Sequence, residues 1–593
     1  MFESLRTVSR RSAMKWIAGT AGVGLLSACA PQAPATAPAK DAGSAPAKPA
    51  EAKPAATMAV QVAVPTPAQA APAAAAAPAK PAEAAKPAEA AKPAAAQVKR
   101  GGVLKGHRQN DWPTLDPHTS QASNLDMTLV YDYLTRLDRN PQNGAWEVKG
   151  SLAESWDIPE PTTVVFKLRS NVKFHDGTDF NSEAVKWNLE RMMTHPKSSG
   201  KVLTSTISEI ETPDPMTVRL KLKSPSPSLF VNLTADADNV AAMVSPTWAK
   251  QVGDAGMATA CVGTGPFKLT EFQPSNQATY QKFDGYWKQG ADGKPLPYLD
   301  GATVKYNADW NAALVQLRSG ELDLVWGMGG KDIPTIQSNP ALQYTPAPWA
   351  ATMYQIVFNA QPGKRFEGEK MKPVRQAMNF ALDREAIAKA LGAGIGEANY
   401  QALVPGQIGY SDKVTKYEYN LEKAKQLMAQ AGFADGLDVT VDFISRPEDT
   451  QNIQLYQQML EKIGVRMTLR PSERVAWVQK MLAGDYEMGT FLSGVRPDPD
   501  LVLGYRFAKG GPGNYALWES EALNKLLDEG RSTYDLPKRQ EIYEKASNLI
   551  GEEAYVGFVW RRSGTIAMSK ALQGFTPVWN GVYSNSTEYW LDK

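Results

Sequence analysis

One stretch of the chain sets a guanidinium beside two carboxylates: Phe491-Leu492-Ser493-Gly494-Val495-Arg496-Pro497-Asp498-Pro499-Asp500. Arg496 carries a planar fork of donors that suits a carboxylate or phosphate, or that pairs internally with Asp498 or Asp500. Patterns for bond-breaking chemistry are missing. No Gly-x-Ser-x-Gly elbow and no His-Glu-x-x-His occurs. Gly392-Ala393-Gly394-Ile395-Gly396 lacks the strand-then-helix setting of a dinucleotide loop and reads as the end of a helix. The four histidines, His107, His118, His175 and His195, show no metal-ligand spacing. The expectation is a binding protein rather than an enzyme, with no cofactor and no metal. Fifteen tryptophans are mostly core by default, but some can line a pocket.

The N-terminus carries a different chemistry. Ser9-Arg10-Arg11 precedes Met14 and Lys15, and an apolar run from Trp16 leads into Leu26-Ser27-Ala28-Cys29. Charge, a short apolar stretch and small residues describe an export signal of twin-arginine type, with Ala13 and Met14 departing from the usual pattern. Leu-Ser-Ala-Cys is similar to a bacterial lipobox, in which the cysteine becomes the first mature residue and is acylated. Cys29 is then a lipid anchor that holds the protein at a membrane without a spanning helix. Residues 30–100 follow, dominated by Ala, Pro and Lys with the repeat Ala-Lys-Pro-Ala-Glu-Ala. Such a segment buries too little apolar surface to offset its entropy and is expected to be a disordered tether. With Cys29 modified, Cys261 has no partner and is expected to be a small buried residue.

The remaining 101–593 are enough for two or three lobes. A net charge of +2 with 21% charged residues, and no basic cluster in the core, argues against nucleic acid. Val164, Phe166 and Leu168 alternate with Lys167 and Arg169, as Val218, Leu220 and Leu222 alternate with Arg219 and Lys221, which predicts one-sided strands. Asn181 is expected to cap a helix bearing Val185, Leu189 and Met192. From Val304 the pattern becomes strand, helix, strand. Asp309, Asp383 and Asn420 cap helices, Pro373 opens one, and Gly320 and Gly432 end two. The alternation predicts a largely parallel, doubly wound α/β sheet after a more antiparallel region.

Several segments, in order, give the chain a family likeness: Leu115-Asp116-Pro117-His118, Leu152-Ala153-Glu154-Ser155-Trp156, Val172-Lys173-Phe174-His175-Asp176-Gly177, Gly263-Thr264-Gly265-Pro266-Phe267, Val374-Arg375-Gln376-Ala377, and Ala424 to Gly432. Together they resemble the extracytoplasmic solute-binding proteins of ABC importers, family 5, the peptide and nickel class. The resemblance implies a periplasmic-binding-protein-like α/β fold with two lobes, a two-strand hinge and an inserted third lobe. Lobe I is expected over 101–130, 240–345 and 556–593, the inserted lobe over 131–239, and lobe II over 346–555. The crossings are expected near Thr345 to Phe358 and Tyr555 to Trp560. Ligand binds between the lobes, which close over it for an ABC permease. The implied protein is monomeric, extracytoplasmic and lipid-anchored.

Peptide-binding relatives hold the ligand's amine with an aspartate shortly before a proline, and that position falls here on Val495 or Arg496. Neither pairs with an ammonium, although Asp498 or Asp500 are possible substitutes. A tryptophan common in peptide binders is replaced by Arg474, with Trp477 one turn on. The candidate contacts implied are Ser123, Asn124, Trp349, Tyr354, Trp477, Val495, Arg496 and Asp498. Two readings stay open: Arg496 faces the cleft and takes an anionic group, or it faces solvent and Trp477, Trp349 and other aromatics stack on sugars or apolar groups.

Overall fold

The computed structural model describes residues 98–120, 125–140, 142–237, 239–327, 329–576, 579, 583 and 585–593. Cys29 and the expected tether lie outside the described residues, as do Ser123 and Asn124. Among the described residues no helix is long and apolar enough to cross a membrane.

The alternating segments form strands Thr163–Leu168 and Thr217–Leu222, which pair antiparallel at the centre of a four-stranded sheet. Val164, Phe166, Val218 and Leu220 point into its core. The helix Ser182–Thr194 covers that sheet, capped by Asn181 through a bond from the Ala184 N–H at 3.0 Å. Asp309, Asp383 and Asn420 cap helices as predicted, and Gly320 closes Trp310–Ser319 in the left-handed conformation. Pro373 does not open its helix, which begins at Gly368. The turn ahead of the proline is held by a side chain of the same helix, because the Arg375 guanidinium folds back and donates to the Phe366 and Gly368 carbonyls at 2.8 and 3.0 Å.

An eleven-stranded sheet runs through the molecule, and it is mixed rather than largely parallel. Its middle is two long antiparallel strands, Leu342–Phe358 and Val556–Ser569, paired from Leu342 opposite Ser569 to Val357 opposite Val556. The second runs through Ser569, well past Trp560. One end of this ribbon joins Leu324–Trp326, Val103–Arg108 and Gly301–Tyr306, which are mutually parallel where they pair. The other joins Met488–Gly494, Leu437–Ile444 and Val465–Ser472, again parallel among themselves. Buried apolar residues separate accordingly: one cluster includes Leu104, Val304, Phe166 and Tyr583, another Ile356, Val441, Trp477 and Trp560. We refer to these as the first and second lobes, the first including the four-stranded sheet.

The ribbon is interrupted where it passes from one lobe to the other. Ala347 faces Gly564 and Thr352 faces Arg562, so residues 348–351 bulge opposite Ser563 alone. An irregularity of this kind bends and twists a strand pair locally, and it sets the hinge here. The short strand Gly396–Ala398, unforeseen in the glycine-rich segment, braces the opposite edge of the ribbon against Arg562 to Trp560.

Candidate functional site

Strand direction fixes which loops meet across the hinge. Thr352 pairs with Gly494, so the C-terminal end of Met488–Gly494 lies at the hinge, and its parallel neighbours end the same way at Ile444 and Ser472. In the first lobe Trp326 pairs with Ile566, which brings the C-terminal ends at Trp326, Arg108 and Tyr306 toward the same break. Loops at the carboxyl ends of strands are where open α/β sheets bind ligands, and here two such sets face one another. The second lobe contributes the segments after Ile444, Ser472 and Gly494; the first contributes those after Arg108, Tyr306 and Trp326. Ser123 and Asn124 lie outside the described residues.

At the hinge, Tyr354 stacks flat on Trp560 with ring centroids 4.0 Å apart. Its hydroxyl donates to Glu448, which also receives Arg562 Nη1 at 2.6 Å. Trp560 donates its indole N–H to Asn452 Oδ1 at 2.7 Å, and Arg561 reaches Glu397 at 2.6 Å. Tyr354 is 2% exposed, so it stiffens the crossing strands. Trp349 falls in the bulge; its side chain lies outside the description.

The loop after Gly494 is pinned by two ion pairs. Both oxygens of Asp498 accept from Arg539, at 2.7 and 2.9 Å, with the two side chains 1% and 2% exposed. Asp500 accepts from Arg531 Nε at 3.1 Å to each oxygen. Asp498 therefore serves the loop's own architecture. Trp477 is 2% exposed, packs edge-on against Tyr515 at 5.2 Å and donates to the Asp442 carbonyl at 3.3 Å. Val495 packs against the core of the first lobe, and the Arg496 carbonyl accepts from Gln407. Val495 and Arg496 thus stand at the meeting of the lobes. Arg474 is exposed, at the start of the helix Arg474–Ala483.

The lobes touch at two lips. Tyr534 donates its hydroxyl to the Pro161 carbonyl and accepts from the Ser226 N–H, both at 3.1 Å. The Trp146 N–H donates to the Gly406 carbonyl at 3.2 Å. Gly406 has φ +90°, and a Cβ there would lie 2.6 Å from the Gly144 carbonyl oxygen, so only glycine allows this approach.

Beside the second lip lies a cavity of about 760 Å³, lined among others by Asp132, Arg136, Arg139, Gly144, Trp287 and Lys288. Asp132 accepts from Trp287 Nε1 at 2.9 Å and from the Tyr286 and Thr264 hydroxyls at 3.2 Å. Burial outweighs these donors and pushes its carboxyl up to about 6. Sequence reasoning missed it, since its donors lie at least 132 residues away. The motif around His118 proves to be a clamp, in which Arg191 donates to both Asp116 oxygens, at 3.0 and 2.7 Å, and to His118 Nδ1 at 3.0 Å. Cys261 is a free, buried thiol whose pKa burial raises. Among the described residues no group of three or more His, Cys, Asp or Glu side chains is placed to hold a metal ion.

Two strand-linked lobes with facing carboxyl-end loops are the frame of a solute receptor, and the comparisons agree. The model of the bacterial extracellular solute-binding proteins, family 5, matches residues 147–514. The glutathione-binding protein GsiB of Salmonella typhimurium is 30% identical over 486 residues, covering 79% of this chain and 90% of GsiB. The binding protein AgaA of A. tumefaciens, solved with agropinic acid, is 29% identical with a TM-score of 0.64, covering 83% of this chain and 99% of AgaA. DppA of Helicobacter pylori, solved with the peptide STSA, is 25% identical with a TM-score of 0.66, covering 84% and 99%. The chain belongs to the family 5 extracellular solute-binding proteins, whose members are binding proteins rather than enzymes. As one of them it captures a solute outside the cytoplasm for an ABC importer.

Proposed function

We propose that the solute is a small, peptide-like or other organic molecule bearing a carboxylate, and that its anionic end is directed to the second lobe. One observation carries this reading. The loop after Gly494 offers no carboxylate for a ligand amine: its leading positions are Val495 and Arg496, and Asp498 and Asp500 are taken up by Arg539 and Arg531. Arginine at Arg474 and Arg506 gives this face a cationic character that favours carboxylates. Two relatives support the class: agropinic acid is an acid, and glutathione is a tripeptide with two carboxylates. Solute binding draws the lobes together and shifts the population toward the shape the permease reads. The receptor is lipid-anchored at Cys29, exported by a twin-arginine-type signal and held away from the membrane by residues 30–100, with the lobe limits given above.

Thermal shift tests the solute class. At a hundredfold its dissociation constant a ligand stabilises by about 2.7 kcal/mol. Glutathione, other short acidic peptides and small organic acids are expected to raise the melting temperature, and neutral oligosaccharides to leave it unchanged. Stabilisation by oligosaccharides alone would remove the anionic reading.

A further inference from the structure

Arg506 differs from four other arginines around the hinge. Arg561 and Arg562 are paired with Glu397 and Glu448, and Arg531 and Arg539 with Asp500 and Asp498. Arg506 is partly buried, yet among the described residues it has no hydrogen bond and no ion pair. It lies instead among rings, its guanidinium carbon 5.6 Å from the centre of Phe491 and 6.0 Å from that of Tyr505. Tyr515 stands edge-on to Phe491 at 5.4 Å and is backed by Trp477. Burial, opposed by the nearby tyrosines, pushes the Arg506 pKa down to about 10, so it stays charged at neutral pH.

Its position is set by the fold. Arg506 follows the pinned loop at the hinge end of strand Met488–Gly494, and that strand's Phe491 forms the floor beneath it. Arg474 opens the helix after strand Val465–Ser472, and that helix's Trp477 packs on Tyr515. Two carboxyl-end loops thus bring two cations to one aromatic patch. A desolvated cation without a counter-charge is costly to keep, and a ligand anion supplies the missing partner.

We propose that Arg506, on the aromatic floor of Phe491, Tyr505 and Tyr515, is a specificity-determining residue that binds a carboxylate of the captured solute. The inference rests on the anionic reading of the cleft and names the group that enforces it. The aromatic floor keeps the guanidinium dry, which strengthens a charge-assisted bond to a carboxylate and leaves a neutral analogue with nothing to offer it.

The test pairs each acid with its ester. Glutathione, the peptide STSA and small organic acids, each as free acid and as methyl ester, are titrated calorimetrically into the wild-type chain, Arg506→Met and Arg506→Lys. Free acids are expected to lose at least tenfold in affinity in Arg506→Met and to recover partly in Arg506→Lys, while esters bind all three alike. The unliganded Arg506→Met is expected to melt no lower than wild type, since it removes an unpaired cation. Free-acid affinity that survives Arg506→Met overturns the role of Arg506 and leaves the anionic reading standing. Preference of the wild type for esters, or binding of no acid, overturns both. A melting temperature lowered in unliganded Arg506→Met, with acid and ester affinities falling together, makes Arg506 a packing residue and also overturns the proposal.

Discussion

Replacing Arg539 by methionine strips the buried Asp498 of both hydrogen bonds from its cationic partner at once. Asp498 is 1% exposed, and among the described residues its oxygens accept from Arg539 Nη1 and Nη2 and from the Asp500 N–H. Breaking one half of a buried pair leaves an uncompensated charge and costs about 3–5 kcal/mol, a large share of the roughly 5–15 kcal/mol that holds a protein folded. Arg539→Met and Asp498→Asn are each expected to lower the urea midpoint by that order. The double variant, which buries no unpaired charge, should recover most of the loss, giving a coupling energy of about 2 kcal/mol or more. Urea unfolding followed by tryptophan fluorescence measures it, because Trp477 and Trp518 lie in the same lobe core. If either single variant costs less than about 1 kcal/mol, or the double is no better than the singles, the loop is not held by this pair. Asp498 would then be available to a ligand amine, and the exclusion of amine binding would fall with it.

Three further outcomes follow from the same structure. Burial pushes His175 down to about 4, so its contribution is present above pH 6.5 and lost as pH falls through 4, about 3 kcal/mol in all. Asp132, pushed up to about 6, acts in the opposite sense, its protonated form favouring the native state below pH 6; Asp132→Asn should therefore steepen the acid loss between pH 6.5 and 4, measured by urea midpoints at stepped pH. Trp477→Ala should cost about 3–5 kcal/mol as a large core deletion, seen in the urea midpoint, and should depress acid and ester binding together. Tyr534→Phe removes the hydroxyl bonds to Pro161 and Ser226 at the lip, and is expected to weaken ligand binding by about 1 kcal/mol in calorimetry with little change in the urea midpoint.

Local chemistry was legible in the sequence, and long-range pairing was not. Asn181, Asp309, Asp383 and Asn420 cap helices because the side-chain oxygen and its target N–H lie within three residues of each other. Alternation at Val164 to Leu168 likewise survives folding, since a half-buried strand needs it. Pro373 misled because Arg375 holds the preceding turn from a position that only the folded chain creates. The short strand at Gly396 has no pattern of its own and exists because the ribbon edge at Arg562 to Trp560 offers it partners. In the candidate site, Val495 and Arg496 were found at the meeting of the lobes, whereas Asp498 looked available until Arg539, 41 residues on, claimed it. Arg506 carried little local signal, because beyond its chain neighbour Tyr505 its environment is built from Phe491 and Tyr515 on other segments.

Native mass spectrometry of the protein isolated from its own cells, with the released compound then identified, tests the central claim most directly. The account predicts one small carboxylate-bearing solute per chain, released unchanged on denaturation. A neutral saccharide in that place, or a solute that the protein converts to another compound, would contradict it.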